Sequence, residues 1–289
     1  MIPVIIGVSF LVFFIMDLAP GDAVDILAPE GATAEDLEAI RHDLGLDQPV
    51  IVRYVKYMGG MLHGDMGVSY VSKTDVFDTY MEKLPATIKL SFASILVSIL
   101  LSVPLGIYSA TRQGTVQDNI SMIVAMIGLS MPNFWLGLLL IIVFSLNLGW
   151  FPSGGDQTLS SIVLPAITIG TGLMATLTRT TRSSMLDVLK QEYLRTARAK
   201  GIPEKIVITS HALRNALIPI ITIIGTQLAG VLGGSVLTET VFAWPGVGRL
   251  IVDSLNMRDT PLVTGSIIMT TILLSIILLL VDLLYAVVD

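Results

Sequence analysis

Eight cationic side chains, Arg179, Arg182, Lys190, Arg195, Arg198, Lys200, Lys205 and Arg214, crowd one stretch of the chain, and Gly201-Ile202-Pro203 breaks that stretch in the middle. Ammonium and guanidinium groups at this spacing do electrostatic work: they attract acidic surfaces or lipid headgroups and make no bonds. Bond-making chemistry has no visible site. The sequence carries no GxxxxGK[ST] phosphate loop, no HExxH and no Ser of the GxSxG type. Cysteine is absent, which removes disulfides, thiol nucleophiles and thiolate metal sites, and His42, His63 and His211 are too scattered to form a local ligand cluster. If the protein drives uphill transport, the nucleotide chemistry must sit on another chain.

The elements that position these residues belong to a membrane. Hydrophobic residues make up 53% of the chain, charged residues 14%, and the mean hydropathy is +0.79; a water-soluble domain of this composition would expose large apolar patches. Apolar runs of about 20 residues, each enough for roughly 30 Å of hydrocarbon, can be placed six times: Ile2 to Leu18, Ala86 to Ala110, Asn119 to Leu148, Ile162 to Leu177, Leu217 to Leu237 and Leu262 to Val288. The fourth is the weakest, being short and rich in Gly and Thr. The expected fold class is an all-α integral membrane protein with six transmembrane helices. No Lys or Arg precedes the first run and no small-residue cleavage site follows it, so it reads as a spanning helix and not as a secretory signal.

Lys and Arg near membrane ends stay on the cytoplasmic side, which places the basic loop, the Thr111 to Asp118 turn and both termini inside. Asp22 to Leu84, Gly149 to Ser161 and Thr238 to Pro261 then lie outside. The first outer region is long enough for a helical cap. Thr33 with Asp36 reads as a helix start ended by Gly45, and Pro49 opens a second helix that reaches the Gly59-Gly60 pair. Val76 to Leu84 reads as a short amphipathic helix laid on the membrane, with Pro85 opening the next span. In the last outer loop, Phe242 and Trp244 suit the headgroup zone and Pro245 to Gly248 makes a turn, as in an interfacial or re-entrant element. The expected division is residues 1–18 as first helix, 19–85 as external helical region, and 86–289 as a core of five transmembrane helices that includes a coupling loop at 179–216.

Intramembrane charges mark proton relays and ion sites, but the second to fifth helices have almost none at their centres. Asp17 and Asp282 sit near helix ends, within reach of an interface or a cap. In the fifth run Gly225, Ala229 and Gly233 share a face, with Gly230 and Gly234 beside it, which allows close helix approach. Thr226 and Gln227 there, with Ser130 and Asn133 in the third run, could line a neutral path; local packing is the plainer explanation for each alone.

Residues 184 to 200 are expected to form a helix with Met185, Leu186, Leu189, Tyr193 and Ala197 at apolar spacings. Gly201 stops it and Pro203 starts the next. Small Ala197 and Ala199 beside Gly201 offer a low surface to a partner's groove. Attraction to anionic lipid would explain the charges but not this Ala/Gly pattern.

The stretch RTARAKG, Arg195 to Gly201, followed by HALRNALIP, resembles the cytoplasmic loop of bacterial ABC importer permeases, and within these it is similar to the dipeptide, oligopeptide and nickel transport subfamily. Matching segments run the length of the chain: APGD at Ala19 to Asp22, LGLDQP at Leu44 to Pro49, LPATIKL at Leu84 to Leu90, SVPLGI at Ser102 to Ile107, SMPNFW at Ser130 to Trp135, FAWPGVGRL at Phe242 to Leu250 and VDLLYAVVD at the end. Arg195-Thr196-Ala197 stands where the wider family has Glu-Ala-Ala, Arg214 where many members have Pro, and Ala23 where Pro is common. The first two departures are usual in the peptide and nickel branch.

The resemblance implies the ABC type I importer permease fold and a bacterial plasma (inner) membrane location. It also implies a pathway shared with a second homologous permease subunit, two cytoplasmic ATP-binding subunits that carry ATP and Mg, an external substrate-binding protein, and lipid around the spans. This chain would bind no cofactor, no metal and no nucleic acid, and would catalyse nothing. Coupling to the ATPases would fall to Glu192, Tyr193, Arg195, Thr196, Ala197, Arg198, Ala199, Lys200 and Gly201. The cargo would be a di- or oligopeptide; nickel or a metal chelate is the alternative within the family, and an ion-coupled secondary transporter or channel the alternative outside it.

Overall fold

A computed structural model describes residues 2–18, 24, 27–29 and 31–288. The APGD segment at 19–22, Ala23, and the two terminal residues Met1 and Asp289 lie outside the described residues.

Helix α1 (Ile2–Leu18) is apolar except for Ser9 and, near its end, Asp17, and α2 (Ala34–Asp43) opens on the expected capping box. The Thr33 hydroxyl accepts the Asp36 N–H at 3.3 Å, and the Asp36 carboxylate accepts the Thr33 N–H at 2.9 Å. Helix α3 (Val50–Leu62) begins at Pro49 as expected and runs through Gly59-Gly60.

Helix α4 (Val76–Thr111) is one helix of 36 residues, so Val76 to Leu84 is not a separate surface helix and Pro85 does not open a span. Proline removes one helical N–H, but packing holds the segment before it: Val76 and Tyr80 are buried, and the Tyr80 hydroxyl lies 3.3 Å from Thr270 Oγ1.

Helices α5 (Val116–Ser130) and α6 (Asn133–Leu140) replace the single third span, and α6 continues as a π-helix over Ile141–Asn147. The pair bends by 95°. Pro132 disfavours helical backbone at the residue before it, and Met131 is accordingly extended (φ −98°, ψ 127°).

Helix α7 (Val163–Leu189), entered through a 3-10 turn at Leu159–Ile162, makes a 31-residue segment, so the run expected to be weakest is among the long ones. Its Thr and Gly residues lower the hydropathy because they serve packing. The Thr168 and Thr181 hydroxyls each donate at 2.8 Å to the carbonyl four residues back, and a Cβ on Gly170 would lie 2.8 Å from the Ser94 carbonyl oxygen.

Next come α8 (Glu192–Ala199), α9 (Glu204–Ile206), a π-helical turn Val207–Ala212, and α10 (Leu213–Gly234); from Glu204 to Gly234 the chain is helical without interruption. The short α11 (Val236–Val241), α12 (Val247–Asn256) and α13 (Thr260–Val288) complete the chain. Among the described residues, four helical segments are long and apolar enough to cross a membrane, five if the bent α5/α6 pair counts as one span, and α1 is a shorter apolar helix.

The contacts divide into two units. One comprises Met1–Thr87 and Pro245–Ser275, the other Ile88–Trp244 and Ile276–Asp289. In the first, α1 packs on α3, with Phe10 and Phe13 against Tyr54, the Tyr54 hydroxyl 2.9 Å from Ser9 Oγ, and Arg53 paired with Asp17. Asp259 holds the 69–71 turn by accepting the Tyr70 and Val71 N–H groups at 3.1 and 3.3 Å. In the second unit α7 is the common neighbour of α5, α6 and α10. Phe242 and Trp244 are fully buried there, with Lys89 over the Trp244 ring at 5.7 Å, so neither is the headgroup-facing aromatic expected.

Candidate functional site

The basic loop is two helices on an apolar floor. The helix expected over 184–200 is broken at Gln191, whose backbone is extended (φ −72°, ψ 142°), and the break resets the phase. Leu194 becomes the buried anchor and Tyr193 turns outward. Leu194 and Ala197 join a cluster with Ala110, Leu177, Met185, Val207, Ala212, Ala216 and Ile220, which ties α8 to the ends of α4, α7 and α10. Ala197, only 9% exposed, therefore belongs to the floor and not to the low docking surface expected of it. Glu192, Tyr193, Arg195, Thr196, Arg198, Ala199, Lys200 and Gly201 form the exposed face.

Gly201 makes the turn at φ +76°, in the left-handed region where a Cβ is strained, although one built there would meet nothing within 4 Å. Across this turn Arg198 grips Glu204, with Nη2 to Oε1 at 2.9 Å and Nε to Oε2 at 3.1 Å. Pro203 caps α9, and the π-helical turn that follows places the His211 carbonyl where the Asn215 amide donates to it at 2.8 Å; the same amide donates to the Tyr193 hydroxyl at 2.8 Å. The loop is thus stitched to the start of α10. A π-turn at such a junction is a common place for function.

A second clamp holds the loop's base. Arg182 donates through Nε and Nη2 to the two oxygens of Asp118 at 2.8 and 2.7 Å. Asp118 also accepts from the Ser109 hydroxyl and from the Gly114 N–H at 3.0 Å. The charge of Arg182, counted in the sequence as part of the basic patch, is spent inside the fold.

The residues expected to line a path separate into two sets. Asn133 and Gln227 converge on one turn of α7. A Cβ on Gly172 would lie 2.7 Å from Asn133 Oδ1, and Gln227 Nε2 donates to the Leu173 carbonyl at 3.1 Å, leaving Oε1 buried without a partner. Thr226, Gly230 and Gly234 are exposed, and a Cβ on either glycine would meet nothing within 4 Å. Ser130 is exposed at the α5/α6 bend, its hydroxyl donating to the Met126 carbonyl at 3.1 Å. Gly225 does make a close helix approach, its Cβ position 2.7 Å from Val281. Asp118, Glu204 and the Tyr193–Asn215 bond were missed in the sequence; the HALRNALIP segment was the one local pointer to Asn215.

A family profile described as binding-protein-dependent transport system inner membrane component matches residues 102–289, and its N-terminal counterpart matches residues 1–91. The chain belongs to this family. The permease is 43% identical, over 100% of its length and 95% of the relative's, to the oligopeptide transport system permease protein AppB of Bacillus subtilis (strain 168). It is 40% identical, over 100% of its length and 94% of the relative's, to the glutathione transport system permease protein GsiC of Escherichia coli (strain K12). The fold matches a chain of the inward-facing MetNI methionine ABC transporter with a TM-score of 0.61 at 19% identity, covering 74% of the permease and 97% of that chain. An amino acid ABC transporter matches at a TM-score of 0.55 and 13% identity, covering 73% and 94%. The permease is therefore the multi-pass inner-membrane translocation subunit of an ABC importer in the dipeptide, oligopeptide and nickel branch. Members of this family work with ATPase and substrate-binding partners, and ATP and Mg belong to the ATPases.

Proposed function

We propose that this permease imports peptides, that it forms half of a pathway completed by a second homologous permease subunit, and that two ATPases grip its exposed loop face while an external binding protein delivers cargo. The observation that carries the reading is the loop itself: Leu194 and Ala197 bury one side of α8, and the opposite side keeps Tyr193, Arg195, Thr196, Arg198, Ala199 and Lys200 exposed on a hinge at Gly201. Movement of the ATPases is passed through this face to α7 and α10, because the loop shares its floor with both. The chain itself hydrolyses nothing and holds no metal. Asn133, Gln227, Ser130, Thr226, Gly230 and Gly234 supply small or neutral polar surface to the path.

Both termini and the loop face the cytoplasm, and residues 19–85 form the outer region ahead of a permease core at 86–289. The peptide cargo is supported by the oligopeptide and glutathione relatives. Reconstitution of the permease with its ATPases and binding protein tests this: ATP-dependent uptake of a labelled peptide is the expected result. Uptake driven by an ion gradient with the permease alone, or ATP-driven uptake of nickel in place of peptide, would overturn it.

A further inference from the structure

Within the unit formed by 88–244 and 276–289, α4 and α7 meet along a seam of small and hydroxyl-bearing residues. A helical Ser or Thr shielded from water commonly donates its hydroxyl to the carbonyl four residues back. Ser94, Thr168, Thr171 and Thr181 all do so at 2.8 Å. Ser98 and Thr178 are fully buried, yet among the described residues their hydroxyls have no partner. In each case the usual acceptor is engaged by the other helix. For Ser98 it is the Ser94 carbonyl, on which Gly170 sits so closely that a Cβ there would lie 2.8 Å from the oxygen. For Thr178 it is the Met174 carbonyl, which accepts the Ser102 hydroxyl from α4 across a long 3.5 Å. Just beyond, a Cβ on Gly106 would lie 2.9 Å from the Thr178 carbonyl oxygen. Pro104, between Ser102 and Gly106, gives no N–H to the Leu100 carbonyl, so α4 bends with least resistance at this level. A buried hydroxyl without a bond is costly, and an apolar group of the same shape would not be.

We propose that the α4–α7 seam is a two-position latch. In the position seen here the contacts across the seam engage the Ser94 and Met174 carbonyls and leave two hydroxyls unbonded. In the second, reached when α7 shifts against α4, Ser98 and Thr178 bond those same carbonyls within their own helices, and the long Ser102 bond and the glycine contacts are given up. Losses across the seam are offset by gains inside each helix, which keeps the two positions close in free energy and lets a modest push exchange them. That the ATPases deliver the push through α7 rests on the coupling proposed above.

Two substitutions at one position separate the latch from plain packing. Thr178→Val keeps the shape and removes the unbonded hydroxyl, so the permease should melt about 2–4 °C higher, while ATP-driven uptake by the assembled transporter falls about tenfold once Ser98→Ala is added. Thr178→Ser keeps the hydroxyl and loses a methyl group, so it should melt lower than the parent and transport at close to the parental rate. Spin labels on Leu100→Cys and Thr176→Cys, exposed positions on the two helices of a chain without native cysteine, read the seam directly. Their separation should change by about 2 Å or more between nucleotide-free and ATP-trapped transporter, and the Ser98→Ala/Thr178→Val pair should hold it at the nucleotide-free value. A separation that is the same in both nucleotide states, a Thr178→Val permease that melts lower than the parent, or parental uptake by the Ser98→Ala/Thr178→Val pair would overturn the latch. Absence of ATP-driven uptake by the parent transporter would instead overturn the coupling reading, while the melting order of the Thr178 variants still tests the unbonded hydroxyl.

Discussion

Breaking the Asp118–Arg182 clamp should destabilise the permease more than any change on the exposed loop face. The Asp118 side chain is 4% exposed and that of Arg182 26%, and two charge-assisted bonds of 2.8 and 2.7 Å join them. Removing one member of a buried pair costs about 3–5 kcal/mol, because the other charge is left desolvated. Arg182→Gln leaves Asp118 the Ser109 and Gly114 donors, which argues for the lower end, about 3 kcal/mol. Asp118→Asn keeps the shape and loses the charge, and should cost a similar amount. The double variant strands no charge, so its loss should fall short of the sum by about 2 kcal/mol. Unfolding can be followed in detergent through the three tryptophans at a fixed scan rate, with recovery on cooling checked so that the midpoint reports an equilibrium. A loss of 3 kcal/mol should lower the midpoint by roughly 6–12 °C. Single variants within about 2 °C of the parent, or a double variant whose loss equals the sum, would show that the clamp is a surface pair in disguise.

Gly170→Ala should cost about 1–3 kcal/mol, because its Cβ would lie 2.8 Å from a backbone oxygen, whereas Gly230→Ala, with nothing within 4 Å, should gain up to about 1 kcal/mol; paired melting curves decide. Leu194→Ala should cost about 2–5 kcal/mol of local anchoring, read as faster amide exchange in α8 while α7 and α10 stay protected. Gly201→Val should strain the turn by about 1–2 kcal/mol and lower ATP-driven uptake, with Gly201→Asn closer to the parent, since Asn tolerates the left-handed region. Glu204→Gln removes an exposed partner of Arg198 and should change the melting midpoint by less than a few degrees, about 1 kcal/mol or less.

The features legible in the sequence are those with local causes. The Thr33–Asp36 capping box, the start at Pro49 and the turn at Gly201 each follow from a few neighbouring residues. Other features depend on partners far along the chain. Pro85 sits inside a continuous helix because Val76 and Tyr80 are buried, and hydropathy undervalued α7 because its Thr and Gly residues face neighbouring helices. The spacing put Ala197 on the buried side, where it lies, but the extended Gln191 restarts the helix, and Leu194 is buried instead of Tyr193. Arg182 meets Asp118 across 64 residues, a pairing that no spacing rule reveals. The bend at Ser130 to Asn133 was the exception: its Pro132 was in plain view, and a continuous apolar run hid its effect.

The central claim is that the outward side of α8 is the surface gripped by the ATPases. The chain has no native cysteine, so single cysteines can be introduced at Thr196, Ala199 and the buried Ala197 and alkylated with a membrane-impermeant maleimide in inside-out vesicles. Thr196→Cys and Ala199→Cys should react quickly in the isolated permease and at least about tenfold more slowly once the ATPases are bound, corresponding to occlusion worth about 1.4 kcal/mol or more. Ala197→Cys should react slowly in both states. Unchanged rates at positions 196 and 199 on ATPase binding would contradict the account.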